Sequence, residues 1–405
     1  MKVALFTREY PPYIYGGAGV HVDYLSRELA KIIDVEVHCF GDQDTRSRRL
    51  VVSGHEPWPE LEDSAGKFRA ALEALSVNLA SIRKLEGVDV VHTHTWYAAM
   101  AGFWAKKLYG VPQVLTTHSL EPLRAWKAEQ LGSGYVMSSW MERTAIEAAE
   151  AVIAVSNETR ADILRVYPAI RPERVHVIYN GIDLDEYRPV TDTSALAAYG
   201  VDSKRPYILF VGRITRQKGV THLVDAIRYL PAETQVVLCA GAPDTPEIAA
   251  EMRSKVEAVR PGHPRVIWIE KMVSKPEVIQ LYTHATVFCC PSVYEPFGII
   301  NLEAMACHTA VVASATGGIK EVVVDGETGY LVPFAADPAT GMPADPDRFA
   351  RDLAARCAAL LQQPGLVKRM GEAGRRRVEE RFSWRAIAAQ TLELYRQLAG
   401  KGAGL

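Results

Sequence analysis

The chain has 405 residues, of which 48% are hydrophobic, and its 46 basic and 48 acidic residues give a formal net charge of −2. A single hydrophobic core stops growing at about 250–300 residues, so we expect two domains of about 200 residues each. The near-neutral charge gives no sign of the basic surface that nucleic acid or an anionic membrane requires, so we expect neither as a partner.

The six cysteines lie mostly in apolar, strand-like segments and form no Cys-x-x-Cys pair, which is typical of buried free thiols in a reducing compartment. The first residues, MKVALFTREYPP, contain an apolar run too short for a signal peptide. No stretch approaches the roughly 20 apolar residues of a membrane span. We therefore expect a cytoplasmic protein, and the sequence leaves a homodimer open.

Short β-branched runs alternate with helical patterns from the first residues onward. The strands predicted in the first half are 2–6, 35–40, 89–94, 113–118, 151–156 and 174–183. A second series follows a polar, Pro-containing segment at 187–205, with strands at 207–213, 235–241, 265–270, 285–291, 310–314 and 329–334. Strands that alternate with helices predict parallel sheets covered on both faces.

The predicted fold class is therefore α/β, with two tandem Rossmann-like, doubly wound domains that face each other across a cleft. The first domain is predicted to span 1–185 and to include the C-terminal amphipathic helix at 385–405, and the second is predicted to span 186–384. Ligands of such sheets bind at the carboxyl ends of the strands, so we expect the active site in the cleft.

A glycine-rich segment, Gly16-Gly17-Ala18-Gly19, lies directly before the first predicted helix. Glycines let the backbone approach a ligand, and a helix N-terminus favours an anion, so this segment is a candidate phosphate site. The motif is not G-x-G-x-x-G, and a plain loop explains it equally well.

Two cations follow the first strand of the second domain. Arg213 and Lys218 lie around the turn in GRITRQKG, where a bidentate guanidinium and an ammonium suit a diphosphate. The alternative is a solvated basic turn.

A third motif, EPFGIINLE, starts with Glu295 and ends with Glu303. The helix predicted after Gly298 would present the free amides of Gly298, Ile299 and Ile300 as a second anion site. The two glutamates are candidates for binding sugar hydroxyls, since a buried carboxylate requires donors. A capping or surface pair of glutamates is the alternative.

Together these motifs resemble family 4 of the retaining glycosyltransferases, to which glycogen, starch and sucrose synthases belong. The resemblance extends over nearly the whole chain and includes TREYPP, GGAGVH, YNGID and the FSW before the last helix. The segments VHTHTWY and THSLEPLRAWKAEQLGSGY resemble those of short, actinobacterial-type glycogen synthases. That group uses ADP-glucose and makes α-maltose 1-phosphate from glucose 1-phosphate.

The resemblance implies a role for each matching residue. Arg213 and Lys218 would hold the distal phosphate of the nucleotide, Glu295 would bind donor hydroxyls, and Glu303 would bind the ribose. Gly16 and Gly17 would lie at the donor phosphate, with Asn180 near the donor. His118 would lie beside the donor glucose and its anomeric carbon. We count His118, Arg213, Lys218 and Glu295 as the catalytic set implied by the resemblance.

The acceptor is expected on the first domain. Long-glucan synthases of the family carry Lys-Thr-Gly-Gly in the first loop, whereas here Tyr15 precedes Gly16 and Gly17, which favours a different acceptor. Glucose 1-phosphate needs local cations, and the loop at 117–135 supplies them. The candidate acceptor residues are Glu9, His94, Arg124, Trp126 and Lys127. A solvated basic loop is the alternative.

No cofactor and no metal are expected. Asp183-Leu184-Asp185 imitates a metal-binding D-x-D but falls at the predicted hinge, and the pair His92 and His94 is interpreted as hydrogen-bonding rather than metal-binding. The predicted function is glucosyl transfer from ADP-glucose to glucose 1-phosphate or to an α-1,4-glucan end, with retention. Another retaining transferase of sucrose or trehalose type, or a sugar-nucleotide epimerase or hydrolase on the same fold, remains the alternative.

Overall fold

A computed structural model describes residues 1–124 and 134–402. The chain divides into two compact units. Unit 1 comprises Met1–Gly181 and the segment that begins at Trp384, and unit 2 comprises Ile182–Ser383. The chain therefore passes from one unit to the other at 181/182 and at 383/384. The sequence analysis placed these boundaries at 185/186 and 384/385.

Unit 1 is built on an eight-stranded sheet. Its strands are β1 (Lys2–Phe6), β2 (Asp34–Phe40), β3 (Asp44–Arg46), β4 (Leu50–His55), β5 (Val90–His94), β6 (Gln113–Thr117), β7 (Ala151–Ala154) and β8 (Val175–Val177). The spatial order is β3-β4-β2-β1-β5-β6-β7-β8, and all neighbours are parallel except β3 and β4.

The helices of unit 1 are α1 (Gly17–Ala30), α2 (Gly66–Ser81), α3 (Thr95–Tyr109), α4 (Gly134–Ala148), α5 (Asn157–Val166) and the C-terminal helix Trp384–Gly402. Short 3₁₀ turns occupy Pro59–Leu61, Glu121–Leu123 and Pro172–Arg174. Ser156 begins α5 as its N-cap, since its hydroxyl accepts from the amide of Thr159 at 3.0 Å.

The C-terminal helix packs into the core of unit 1. Trp384, Leu392 and Tyr395 are buried in the same apolar cluster as Leu25 and Leu29 of α1. The hydroxyl of Tyr395 also lies 2.6 Å from Nδ1 of His92 on β5. The end of the chain therefore stabilises the first sheet, because its helix covers apolar surface that α1 and the strands would otherwise expose to water.

Unit 2 is built on a six-stranded, fully parallel sheet of order β11-β10-β9-β12-β13-β14. The strands are β9 (Tyr207–Arg213), β10 (Gln235–Gly241), β11 (Val266–Ile269), β12 (Val287–Cys290), β13 (Ala310–Ser314) and β14 (Gly329–Val332). The helices are α6 (Ser194–Ala198), α7 (Val220–Ile227), α8 (Pro246–Val259), α9 (Lys275–His284), α10 (Ile299–Ala306), α11 (Ile319–Val322), α12 (Pro346–Leu361) and α13 (Pro364–Arg381).

The prediction of two Rossmann-like α/β domains with parallel sheets is confirmed. The prediction of an entirely parallel sheet is wrong for unit 1, because its edge strand β3 is antiparallel to β4. Neither β3 nor β4 was among the predicted strands. The strand predicted at 174–183 is shorter, with only Val175–Val177 in the sheet. Among the described residues, no helix is both long and apolar enough to cross a bilayer.

The strand orders determine where ligands bind. Among the parallel strands of each sheet the order reverses once, between β1 and β5 in unit 1 and between β9 and β12 in unit 2. Crevices at such reversal points, beyond the carboxyl ends of the strands, are the usual ligand sites of open α/β sheets. In unit 1, Glu9 follows β1 and His94 ends β5. In unit 2, Arg213 ends β9 and Glu295 follows β12.

Candidate functional site

In unit 2, the two predicted cations lie at the reversal point and each contacts a carboxylate. Arg213 is the last residue of β9, and its Nη1 lies 2.6 Å from Oδ1 of Asp244. Lys218 lies in the turn before α7, and its Nζ lies 2.7 Å from Oε2 of Glu295. All four side chains are at most 19% exposed. The two cations are thus mostly buried and paired with carboxylates, which a fully solvated turn would not show.

The loop that carries Glu295 is fixed by close backbone packing. The hydroxyl of Ser292 donates to Oε2 of Glu295 at 3.2 Å, and the amide of Gly318 donates to the Glu295 carbonyl at 2.9 Å. Gly317 has a φ of +50°, and a Cβ there would lie 2.0 Å from the same carbonyl oxygen. Only glycine fits this position, so the sequence Gly317-Gly318 holds the loop in place.

Glu303 lies on α10 between two tyrosines. The hydroxyl of Tyr187 donates to Oε1 at 3.1 Å, and the hydroxyl of Tyr282 donates to Oε2 at 3.0 Å. Burial raises the pKa of Glu303, although both hydrogen bonds oppose the shift. The carboxylate is therefore neither a cap nor a surface group, and its partners already satisfy one acceptor position on each oxygen.

The predicted helix start at this motif is confirmed. Gly298 is the N-cap of α10, and Ile299 is its first residue, with Ile300 next to it. No acidic side chain lies in the first turn. The N-terminus of α10 therefore retains the positive end of the helix dipole beside the loop of Glu295, where an anion is favoured.

In unit 1, the glycine-rich segment holds the carboxylate of Glu9. Oε2 of Glu9 accepts from the amide of Tyr15 at 2.8 Å and from the amide of Gly16 at 2.6 Å. The helix starts at Gly17, and a Cβ at Gly19 would lie 2.7 Å from Cβ of Glu9. The segment therefore does bind an anionic group, but that group is the carboxylate of Glu9, which contacts the amide of Gly16, one of the two glycines that we assigned to the donor phosphate.

His94, His118 and Asn180 come together in unit 1, and a third histidine joins them. Nδ1 of His94 lies 3.1 Å from Nε2 of His118, and Nδ1 of His21 lies 2.7 Å from Oδ1 of Asn180. Burial lowers the pKa of His21 to about 4 and the pKa values of His94 and His118 well below the usual 6.5. All three imidazoles are therefore neutral at pH 7.

His92 and the D-x-D-like segment have structural partners. Both ring nitrogens of His92 are engaged, one by Tyr395 and the other by the Thr116 hydroxyl at 2.7 Å. Oδ1 of Asp183 accepts from the backbone amides of Asp185 and Glu186, which forms a local turn.

The acceptor loop is described only in part. Arg124 is the last described residue of its first part, and its Nη1 is 3.2 Å from the Ser119 hydroxyl and 3.4 Å from Oε1 of the buried Glu121. Trp126 and Lys127, which we predicted to join Arg124 at an acceptor phosphate, lie outside the described residues.

Comparison with known proteins places the chain in a family. The profile of Glycosyltransferase Family 4 matches residues 15–186, and that of Glycosyl transferases group 1 matches residues 193–377. The α-maltose-1-phosphate synthase of Mycolicibacterium smegmatis is 52% identical over 402 residues, which cover 98% of this chain and 100% of that protein. The chain belongs to glycosyltransferase family 4.

Further relatives agree with this assignment. The α-maltose-1-phosphate synthase of Mycobacterium tuberculosis is 51% identical over 98% of this chain and 100% of that protein. The solved structure of a sucrose-phosphate synthase from Thermosynechococcus elongatus is 26% identical and covers 99% of each chain, with a TM-score of 0.79. The protein is therefore a glycosyltransferase, and its two α/β units are those of the GT-B fold.

Several residues of the candidate site were missed by the sequence analysis. Asp244 follows β10, whose last residue pairs in register with Arg213, so a carboxylate at the end of the neighbouring strand was a usable signal. His21 belongs to the quoted GGAGVH motif, but a lone histidine on a buried helix face is indistinguishable from a core residue. No local signal marks Tyr187 and Tyr282, which hold Glu303, because Tyr187 lies in the segment between β8 and α6 and Tyr282 lies on α9.

Proposed function

We propose that the enzyme transfers glucose from ADP-glucose to glucose 1-phosphate with retention, forming α-maltose 1-phosphate. The observation that carries the proposal is the paired arrangement of Arg213 and Lys218 at the reversal point of the unit 2 sheet, beside the N-terminus of α10. Two cations and a helix dipole in this position suit the diphosphate of a nucleotide sugar. The specific product is supported by the 52% identity to a protein of that name.

The chemistry needs no protein nucleophile. Retaining glycosidases place one carboxylate about 5 Å from a second one and form a covalent intermediate. Here Oε2 of Glu295 is paired with Lys218, and Glu303 accepts hydrogen bonds from two tyrosines, which supports binding roles for both carboxylates instead of nucleophilic attack. The proposed step therefore occurs on one face of the sugar.

In that step the bond from the anomeric carbon to the diphosphate oxygen breaks, and a bond to the acceptor hydroxyl oxygen forms on the same face. The proton of the acceptor hydroxyl passes to the departing phosphate oxygen, and ADP leaves. Lys218 and Arg213 stabilise the negative charge that develops on the diphosphate, and His118 positions the donor glucose. Catalysis then comes from positioning and electrostatics, and no metal is required.

The proposal is tested by incubating the full chain with ADP-glucose alone, with glucose 1-phosphate, and with a malto-oligosaccharide. We expect ADP release to depend on glucose 1-phosphate, with a disaccharide phosphate as product. Proton NMR should show an α-configured new linkage, and UDP-glucose should serve as the comparison donor. Faster turnover on the oligosaccharide would assign the chain to glucan elongation, and ADP release without an acceptor would identify a hydrolase.

A further inference from the structure

Three histidines from three elements meet in unit 1. His21 lies in the first turns of α1, His94 ends β5, and His118 follows β6. Their ring centroids are 4.8 Å apart for His21 and His118, 5.3 Å for His21 and His94, and 5.4 Å for His94 and His118. One ring nitrogen from each residue can be chosen so that all three lie within 4.8 Å of one another.

These separations match those of imidazoles around one metal ion. At a metal–nitrogen distance of about 2.0 Å, tetrahedral geometry puts two ligand nitrogens about 3.3 Å apart and their ring centroids about 5 Å apart. Nδ1 of His94 and Nε2 of His118 are 3.1 Å apart, and all three centroid distances lie close to the second value. The pair His94 and His118 therefore already has the nitrogen spacing of two ligands of one ion, and the His21 ring lies at the matching centroid distance from both.

A buried ring nitrogen of His21 provides a second, independent observation. An amide oxygen can only accept, so Nδ1–H of His21 donates to Oδ1 of Asn180 and Nε2 carries the free lone pair. Nε2 of His21 is buried and has no hydrogen-bond partner among residues 1–124 and 134–402. Leaving a buried acceptor unpaired costs about 1–3 kcal/mol, which indicates a place for a ligand. Metal-binding histidines usually donate their other N–H to such an oxygen.

We propose that His21, His94 and His118 form a binding site for a divalent transition-metal ion of the zinc type, and that the bound ion inhibits the enzyme. Three neutral imidazoles with a fourth position open to water form a ligand set that Zn²⁺ accepts. His118 is partly exposed, whereas His21 and His94 are buried. The inhibition rests on the proposed function, because it requires that His118 lies beside the donor glucose.

Binding is tested without any substrate. The untagged full chain is treated with EDTA, desalted and titrated with Zn²⁺ by calorimetry and with Co²⁺ by visible absorption. We expect one ion per chain, with tetrahedral Co²⁺ absorption, and at least about a tenfold weaker affinity for His21→Gln, which keeps a donor for Asn180. His308→Asn is the matched control, because His308 is exposed in unit 2 and its φ of +64° suits asparagine.

His118→Asn, read only by metal binding, replaces His21→Gln if circular dichroism shows that the latter does not fold. Affinities that are equal in wild type and in the site variants, or the absence of a one-to-one complex, would overturn the site. Inhibition is then measured as glucosyl transfer against Zn²⁺ concentration at several ADP-glucose concentrations. We expect ADP-glucose to relieve the inhibition in wild type, and His21→Gln to need at least about tenfold more Zn²⁺.

The outcomes for the two proposals are distinct. Zn²⁺ binding that ADP-glucose does not weaken would overturn the inhibition and leave the site standing. A chain that binds Zn²⁺ but never uses ADP-glucose would refute the proposed function, and with it the inhibition, while the calorimetric result would still support the site.

Discussion

Replacing Lys218 distinguishes its contribution to the stability of the fold from its proposed role in catalysis. Lys218→Met removes the cation that lies 2.7 Å from Oε2 of Glu295, whose side chain is 9% exposed. Removing one partner of a buried ion pair costs 3–5 kcal/mol, and since Lys218 itself is 18% exposed we expect the lower end, about 3 kcal/mol in the free energy of unfolding. The cost arises because Glu295 is left as an uncompensated buried charge.

Adding Glu295→Gln to Lys218→Met removes that charge and should restore most of the unfolding free energy, as replacing both members of a buried pair commonly does. Activity should follow a different pattern. Loss of one preorganised charge-stabilising group lowers kcat by about 10²–10³, so both the single and the double variant should be slow.

Urea unfolding measures the stability, and ADP release from ADP-glucose in the presence of glucose 1-phosphate measures kcat. Lys255→Met is the control, because Lys255 pairs with Asp225 elsewhere in unit 2 with both side chains more than a quarter exposed, and such pairs contribute about 0–1 kcal/mol. A kcat near wild type in Lys218→Met would refute the assignment of Lys218 to the leaving group. Recovery of activity in the double variant would show that Lys218 acts only through folding.

The remaining predictions concern acceptor, metal and pH. Arg124→Ala should raise KM for glucose 1-phosphate several-fold more than KM for an uncharged malto-oligosaccharide, and equal effects on both would make Arg124 structural. Transfer should persist in excess EDTA, whereas activity restored only by Mg²⁺ or Mn²⁺ would return Asp183 and Asp185 to consideration as ligands. Burial and Glu121 raise the pKa of Glu142 to about 8, above its value of roughly 4.3 in an unfolded chain. The folded state therefore binds the extra proton, and stability from this group falls as pH rises from about 4.5 to 8, by at most ~1.4 kcal/mol per pH unit. Urea unfolding across that range should be flatter in Glu142→Gln, and a slope equal to that of the exposed control Glu147→Gln would contradict the assignment.

The sequence allowed the buried strands to be predicted most accurately. The bounds of β1, β9, β10 and β13 agree with the predicted ones to the residue, because each is a continuous apolar run with turn residues or charges at its ends. β3 and β4 escaped prediction because β3 is an exposed edge strand of three residues and β4 is mostly half-buried. Such strands have neither a continuous apolar run nor a clean alternation.

The same distinction applies to the site. Arg213, Lys218 and the start of α10 were predictable because each is defined locally, by a strand end or by a glycine before a helix. The partners Asp244 for Arg213 and Asn180 for His21 depend on contacts between separate elements. The distance between residues of separate elements cannot be predicted from a single sequence until the fold is known. That Glu9 contacts the amides of the glycine loop could not be predicted for the same reason.

The contact between Glu9 and the amides of Tyr15 and Gly16 has a consequence for selectivity. Together with Asp244 on Arg213 and Glu295 on Lys218, it means that the protein supplies its own counter-ions to the groups that would receive a phosphate. Binding at these groups is then an exchange of one anion for another. A single small anion gains little from such an exchange, because the net change in charge pairing is close to zero. We expect a ligand that carries two linked phosphates and a sugar to gain additional contacts, which would favour it over a single small anion.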